Sequence, residues 1–155
     1  MLRFFIVLSL LCGVIGCNRN PYGTVLVTGI VHVDGKPMEQ VTVSFQSTDG
    51  SQMGAVGTTD AQGKFVLTTG MAPFGSGVIP GQYHVTFAKS ELPEKYRTET
   101  TEEFMQKFGN IEVPFIFIVP KKYGNAATSD IAPVTVEKKG KKHFEFDLST
   151  SPNNP

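Results

Sequence analysis

Val25-Leu26-Val27-Thr28-Gly29-Ile30-Val31-His32-Val33, then Asp34-Gly35-Lys36-Pro37, then Val41-Thr42-Val43-Ser44-Phe45, is the stretch that decides the fold class. Val25, Val27, Val31 and Val33 share one parity, and Val41, Val43 and Phe45 share another with Thr42, Ser44 and Gln46 opposite them. Side chains alternate faces along a strand, so this pattern predicts two half-buried strands. Asp-Gly accepts the positive φ angles that a tight hairpin needs, which makes Asp34-Gly35 the turn between them.

The same pattern continues outward from this stretch. Thr58-Thr59-Asp60-Ala61-Gln62-Gly63-Lys64-Phe65 predicts a third strand, a turn and a fourth strand. In that turn Asp60 caps backbone amides and Gly63 takes the left-handed conformation. Pro80-Gly81 introduces a strand with Tyr83, Val85 and Phe87 inward and Gln82, His84 and Thr86 outward. The last two strands carry Val134 and Val136, then Phe144, Phe146 and Leu148, separated by Lys138-Lys139-Gly140-Lys141-Lys142, which reads as a charged hairpin turn. About seven short strands with frequent turn residues predict an all-β sandwich of the immunoglobulin-like or transthyretin-like kind.

Two segments break the alternation. Gly70 to Gly77 is a glycine-rich loop carrying Met71 and Phe74. The connection at about 89–122 is much longer than a hairpin needs. Within it Thr100 and Glu103 fit a capping box, Phe104 and Phe108 lie one helical turn apart, and Gly109-Asn110 ends the short helix. The apolar run Val113-Pro114-Phe115-Ile116-Phe117-Ile118-Val119-Pro120 follows. Burial as a strand is the expectation for it, with docking to a partner through Phe115, Ile116, Phe117 and Ile118 as the alternative.

The first residues have a different character. Arg3 precedes an apolar stretch from Phe4 to Gly16, too short for a permanent span of about 20 residues. Its end, Val14-Ile15-Gly16-Cys17, resembles the lipobox of bacterial lipoproteins: the small Gly16 precedes the cleavage point and the Cys17 thiol is the lipid acceptor. Cys12 lacks such a neighbour because Leu11 precedes it. The expectation is a leader over 1–16, a lipidated N-terminus and tether over 17–23, the sandwich over 24–148 and a disordered tail over 149–155. With Cys12 removed and Cys17 acylated, no disulfide is available, and about 135 residues must be stabilised by one core. Several acyl chains on one residue anchor durably, at roughly 0.8 kcal/mol per buried methylene. Asn18 after the cysteine, rather than Asp, favours the outer membrane over the inner one.

Acidic and basic residues are equal in number, 14 each, so the chain has no electrostatic footprint for nucleic acid. The ordered set Asp34-Gly35-Lys36-Pro37, Val41-Thr42-Val43-Ser44-Phe45, Thr59-Asp60-Ala61-Gln62-Gly63-Lys64-Phe65 and Pro80-Gly81-Gln82-Tyr83-His84-Val85 resembles the carboxypeptidase regulatory-like domain, and the late Val119-Pro120-Lys121-Lys122-Tyr123-Gly124-Asn125-Ala126-Ala127-Thr128-Ser129 resembles a segment of the short lipoproteins that carry it. More narrowly, they resemble short planctomycete lipoproteins that carry it. The resemblance implies a transthyretin-like sandwich and a place in the cell envelope, and no reaction. Glu39-Gln40 depart from the family's glycine and small residue, and the Glu99–Ile118 insertion is not typical of it.

Catalytic signals are absent from the pattern. His32, His84 and His143 lie on polar parities facing solvent, without the spacing of a zinc site. The hydroxyisourate hydrolase branch of the transthyretin fold ends Tyr-Arg-Gly-Ser, whereas this sandwich ends Phe146-Asp147-Leu148-Ser149-Thr150-Ser151. No serine occupies a nucleophile elbow, and Asp34, Asp49, Asp60 and Asp130 lie in turns without calcium-loop spacing. No metal or cofactor is implied. The expected role is a non-catalytic structural or protein-interaction module, anchored to the membrane through its N-terminal lipid, with an envelope protein as partner. The alternative is a small-ligand module for carbohydrate or peptide. The chain lacks tryptophan, and only Tyr22 and Tyr96 are candidates for an exposed aromatic platform.

Overall fold

The computed structural model describes residues 22–70 and 72–151. Gly16, Cys17, the leader, most of the tether, Met71 and 152–155 lie outside the described residues. The strands are β1 (Thr28–Val33), β2 (Lys36–Pro37), β3 (Thr42–Ser47), β4 (Ala55–Thr58), β5 (Lys64–Val66), β6 (Thr68–Thr69), β7 (Gly81–Ala88), β8 (Ser90–Glu91), β9 (Ile116–Phe117), β10 (Val134–Val136) and β11 (His143–Leu148), and the one α-helix is α1 (Thr101–Phe108). Seven of these strands, β1, β3, β4, β5, β7, β10 and β11, have three or more residues. The all-β sandwich read from the alternation is the fold observed.

One sheet is built on β1, which pairs in parallel with β11 on one side and antiparallel with β5 and β2 on the other. The second sheet runs β10-β7-β3-β4-β6, all antiparallel. A separate two-stranded ladder joins β8 and β9. The Asp34-Gly35 turn has φ of 50° and 75°, the doubly positive pair required by the tightest hairpin. Asp60 Oδ1 accepts from the Gln62 and Lys64 amides, both at 2.9 Å, and Gly63 sits at φ 73°, as the turn chemistry predicts.

The predicted inward residues form the core. Val27, Val31, Val41, Val43, Phe45, Leu67, Tyr83, Val85, Phe87, Phe144, Phe146 and Leu148 are all buried. Aromatic rings join the sheets: Phe87 meets Phe146 edge-on at 5.0 Å, and Phe45 meets Phe144 at 5.9 Å. Such pairs add about 1 kcal/mol beyond their burial. Thr86, expected outward, is instead buried, and His84 beside it is half-buried.

The lysine segment is not a hairpin turn. Val136 pairs with Gly81 in one sheet, whereas His143 pairs with Thr28 in the other, so Lys138–Lys142 carries the chain from sheet to sheet. Alternation reports which face of a strand is buried and carries no information on which strand is its neighbour. The chain stays tied to the sandwich just past Leu148. The Ser149 amide donates to the Tyr123 hydroxyl at 3.0 Å, and Thr150 donates to the Asp34 carboxylate through both its amide and its hydroxyl.

The registers define two ends. Thr28, Val66 and His143 lie level with one another, and beyond them Val25 bridges Val78. This end therefore gathers the chain start, the loop around Phe74 and the lysine connection. The opposite end holds the Asp34 and Asp60 turns together with Ala88, which is level with Thr42 and Thr58.

Candidate functional site

The insertion leaves the sandwich at the end of β7. Its neck is fixed by the Lys89 carbonyl, which accepts from the Ile118 amide at 2.9 Å and the Val119 amide at 3.2 Å. The Lys89 ammonium is nearly buried and donates to the Glu39 carbonyl at 2.9 Å. Ser90 and Glu91 then pair with Phe117 and Ile116, which makes a short ribbon standing off the sandwich.

Beyond the ribbon, α1 starts as its sequence predicts. Thr100 Oγ1 accepts from the Glu103 amide, and Glu103 Oε2 reaches back to the Glu99 amide, each at 3.1 Å. Gly109, at φ 66°, ends the helix. None of the α1 residues is buried. Its apolar stripe packs locally, with the Phe108 ring 5.1 Å from both Phe104 and Tyr96. Tyr96, expected to be an exposed platform, is half-covered in this way.

The apolar run after the helix departs from the burial expected of it. Phe115, Ile116 and Phe117 are 55%, 52% and 48% exposed, Ile118 is intermediate, and only Val119 is buried. β9 pairs with β8 alone among the described residues. Its second edge and its apolar side chains therefore face outward. Phe115 and Phe117 share one face of the extended segment and Ile116 lies on the other, so large apolar side chains are uncovered on both faces of the ribbon.

The surroundings of the patch are mixed in character. Lys121 Nζ lies 4.3 Å over the Phe117 ring. A cavity of about 200 Å³ opens beneath it, lined by Phe87, Ala88, Val119 and Pro120 among others. That is below the roughly 300–1,000 Å³ typical of small-molecule sites. A shallow groove of about 540 Å³ lies along the start of the helix, lined by Leu92, Tyr96, Arg97 and Phe104 with the intervening threonines and Glu99. From Glu91 to Glu112 the insertion holds six carboxylates, at 91, 94, 99, 102, 103 and 112, against the cations Lys95, Arg97 and Lys107. The insertion is therefore acidic on a chain whose charges balance as a whole.

The other predicted polar residues are dispersed. His32 Nδ1 is 3.2 Å from Asp147, and His143 Nδ1 is 3.0 Å from Thr28 Oγ1. Among the described residues no group of three or more His, Cys, Asp or Glu is placed to hold a metal ion. The turn carboxylates bond locally. Asp49 accepts from the Ser51 hydroxyl and amide and from the Ser47 hydroxyl, which hold its carboxyl down at about 2. Asp130 is lowered, and Lys122 raised, by the 2.8 Å bond between them.

The neck, unlike the apolar run, leaves no mark in the sequence. A lone lysine after a strand carries no signal that its carbonyl will receive two amides from 29 and 30 positions onward. Comparison with protein-family models, curated proteins and solved structures gives no match for the chain.

Proposed function

We propose that this protein is a non-catalytic interaction module of the cell envelope, held to the membrane by lipid on Cys17. Its carboxypeptidase regulatory-like sandwich serves as a rigid support for the insertion. The observation that carries the reading is the outward edge of β9, where Phe115, Ile116 and Phe117 stand exposed on a fixed neck. An extended segment of a partner protein adds to that edge through its backbone, while its apolar side chains cover the phenylalanines. The carboxylates around α1 favour a partner with basic residues flanking the docked segment.

The test is site-specific photo-crosslinking in intact envelopes. A photoreactive residue at Phe117 should give one discrete adduct, and the same group at Glu145 on the exposed face of β11 should not. The adduct should disappear when Phe115→Ser is added and persist with Glu145→Gln. Equal adducts from both positions overturn the reading. The anchor is tested separately with a palmitate analogue, which should label wild type and not Cys17→Ala.

A further inference from the structure

We infer that the N-terminal end of the sandwich, formed by Lys138, Lys139, Lys141 and Lys142 with Leu26 and Phe74, docks on the anionic lipid surface that holds the acyl chains. The inference rests on the anchor reading for the identity of that surface. The patch itself is independent of it.

The registers bring these residues together. The Lys142 carbonyl accepts from the Thr28 amide at 2.9 Å, which places the lysine connection beside the start of β1. On the other side of β1, the Leu67 amide donates to the Val27 carbonyl and the Gly77 amide donates to the Leu67 carbonyl. The Phe74 loop and the lysines are therefore separated by about three strand spacings, roughly 14 Å. Leu26, 56% exposed, lies between them, and Phe74 is 89% exposed. Among the described residues none of the four lysines lies within ion-pairing distance of a carboxylate. No Asp, Glu, Lys or Arg occurs in 21–33 or 65–88, the two segments that supply the rest of this end apart from the Asp49 turn and Glu137.

Chain length then selects the occupant. Tyr22 follows Cys17 by five positions, which extended span at most about 18 Å. Thr24 Oγ1 donates to the Ser76 carbonyl and Val25 bridges Val78, so the chain joins the sandwich at this end. A lipid on Cys17 keeps this end within about two Debye lengths of the headgroups. The lysines face the negative surface, and the acidic insertion at the other end is turned away from it. The same orientation presents the β9 edge to the periplasm or exterior rather than to lipid.

The experiment uses the mature full-length chain with Cys17→Ser, so that no acyl chain contributes, and phosphatidylcholine vesicles with or without one-third phosphatidylglycerol. Partitioning should require phosphatidylglycerol and weaken with added salt. Each lysine is worth about fivefold near such a surface, so replacing all four by Gln should lower partitioning at least about a hundredfold. Phe74→Ser should lower it about tenfold. Thermal midpoints of the variants, equal to that of the parent, exclude misfolding. Equal partitioning onto neutral and anionic vesicles, no partitioning onto either, or sedimentation without vesicles through self-association overturns the inference. With the lipidated protein, a fluorophore on Thr135→Cys should be quenched by spin-labelled lipid and one on Glu102→Cys should not. The reverse pattern overturns it as well. A failed palmitate label with intact vesicle binding removes the anchor and leaves the docking surface standing.

Discussion

Gly29→Ala offers a direct test of how the two sheets meet. Gly29 occupies the inward parity of β1, between Val27 and Val31, and pairs with Phe144 on one side and Phe65 on the other. A Cβ there would lie 2.3 Å from the Phe144 carbonyl oxygen and 2.4 Å from the Phe65 Cζ. Neither contact is tolerable. The ring must move by more than an ångström, which disturbs its 6.3 Å stacking on Phe146, and the Phe144 carbonyl belongs to a strand held in register over six residues. Overpacking of this kind costs about 1–3 kcal/mol, towards the upper end where backbone must shift. Alanine recovers about 0.5–1 kcal/mol through the less flexible unfolded chain. The net expectation is a loss of about 2 kcal/mol, or roughly 8 °C in thermal midpoint for a domain of this size. Urea unfolding should show a lower midpoint with an unchanged slope. Phe65→Leu shortens the ring that blocks the methyl, so the double variant should lose at least about 0.5 kcal/mol less than the two single losses combined. A Gly29→Ala protein as stable as wild type would refute the close approach of β11 and β5 across β1.

Gln40 holds φ 56° without being glycine, so Gln40→Gly should stabilise by up to about 1 kcal/mol while Gln40→Ala is neutral, read from chemical denaturation. Thr59 Oγ1 is buried, accepts from the Val41 amide at 2.8 Å and donates to the Met38 carbonyl at 2.7 Å; Thr59→Val should cost about 1–3 kcal/mol by leaving both unpaired, again by denaturation. Asp49 is held at about 2 against an ordinary 3.8, so the stability it contributes is complete above pH 3.8 and is lost as pH falls through about 2. Asp49→Asn should flatten the stability profile in that window and leave it unchanged at pH 7 relative to pH 5, as followed by thermal melts. Phe115→Ser should leave the thermal midpoint within about 1 °C of wild type, because its ring covers nothing in the core.

The legible part of the fold was its faces. Valines and phenylalanines at period two named the core of β1, β3, β7 and β11 because burial of one face is written locally. Asp60–Gly63 was legible for the same reason, since Asp60 satisfies its own turn; Asp34-Gly35 was legible as a turn, but it pairs β1 with the short β2, and β3, the strand expected after it, lies in the other sheet. Pairing was not legible. The separation of β10 and β11 into different sheets depends on Phe144 finding Phe45 and on Val136 finding Gly81, and neither choice leaves a mark beside Lys138–Lys142. The apolar run at 113–120 misled for a related reason. Hydrophobic content predicts burial only if something is available to cover it, and the ribbon of β8 and β9 carries Phe115–Phe117 away from both sheets. The Lys89 neck combines contacts from Glu39, Ile118 and Val119, a convergence visible only in three dimensions.

The parallel pairing of β1 with β11 also governs when this chain can fold. Thr28 and His143, which sit side by side, are separated by 115 positions. Before β11 is available, β1 has one open edge, and Phe144 and Phe146 are missing from the centre of the aromatic core. Closing so long a loop costs entropy that only the final strand repays, so topology of this kind folds slowly. A chain whose first strand waits for its last cannot complete its core until synthesis is nearly finished. Under the lipid-anchored reading proposed above, that delay keeps the chain threadable until it has crossed the membrane.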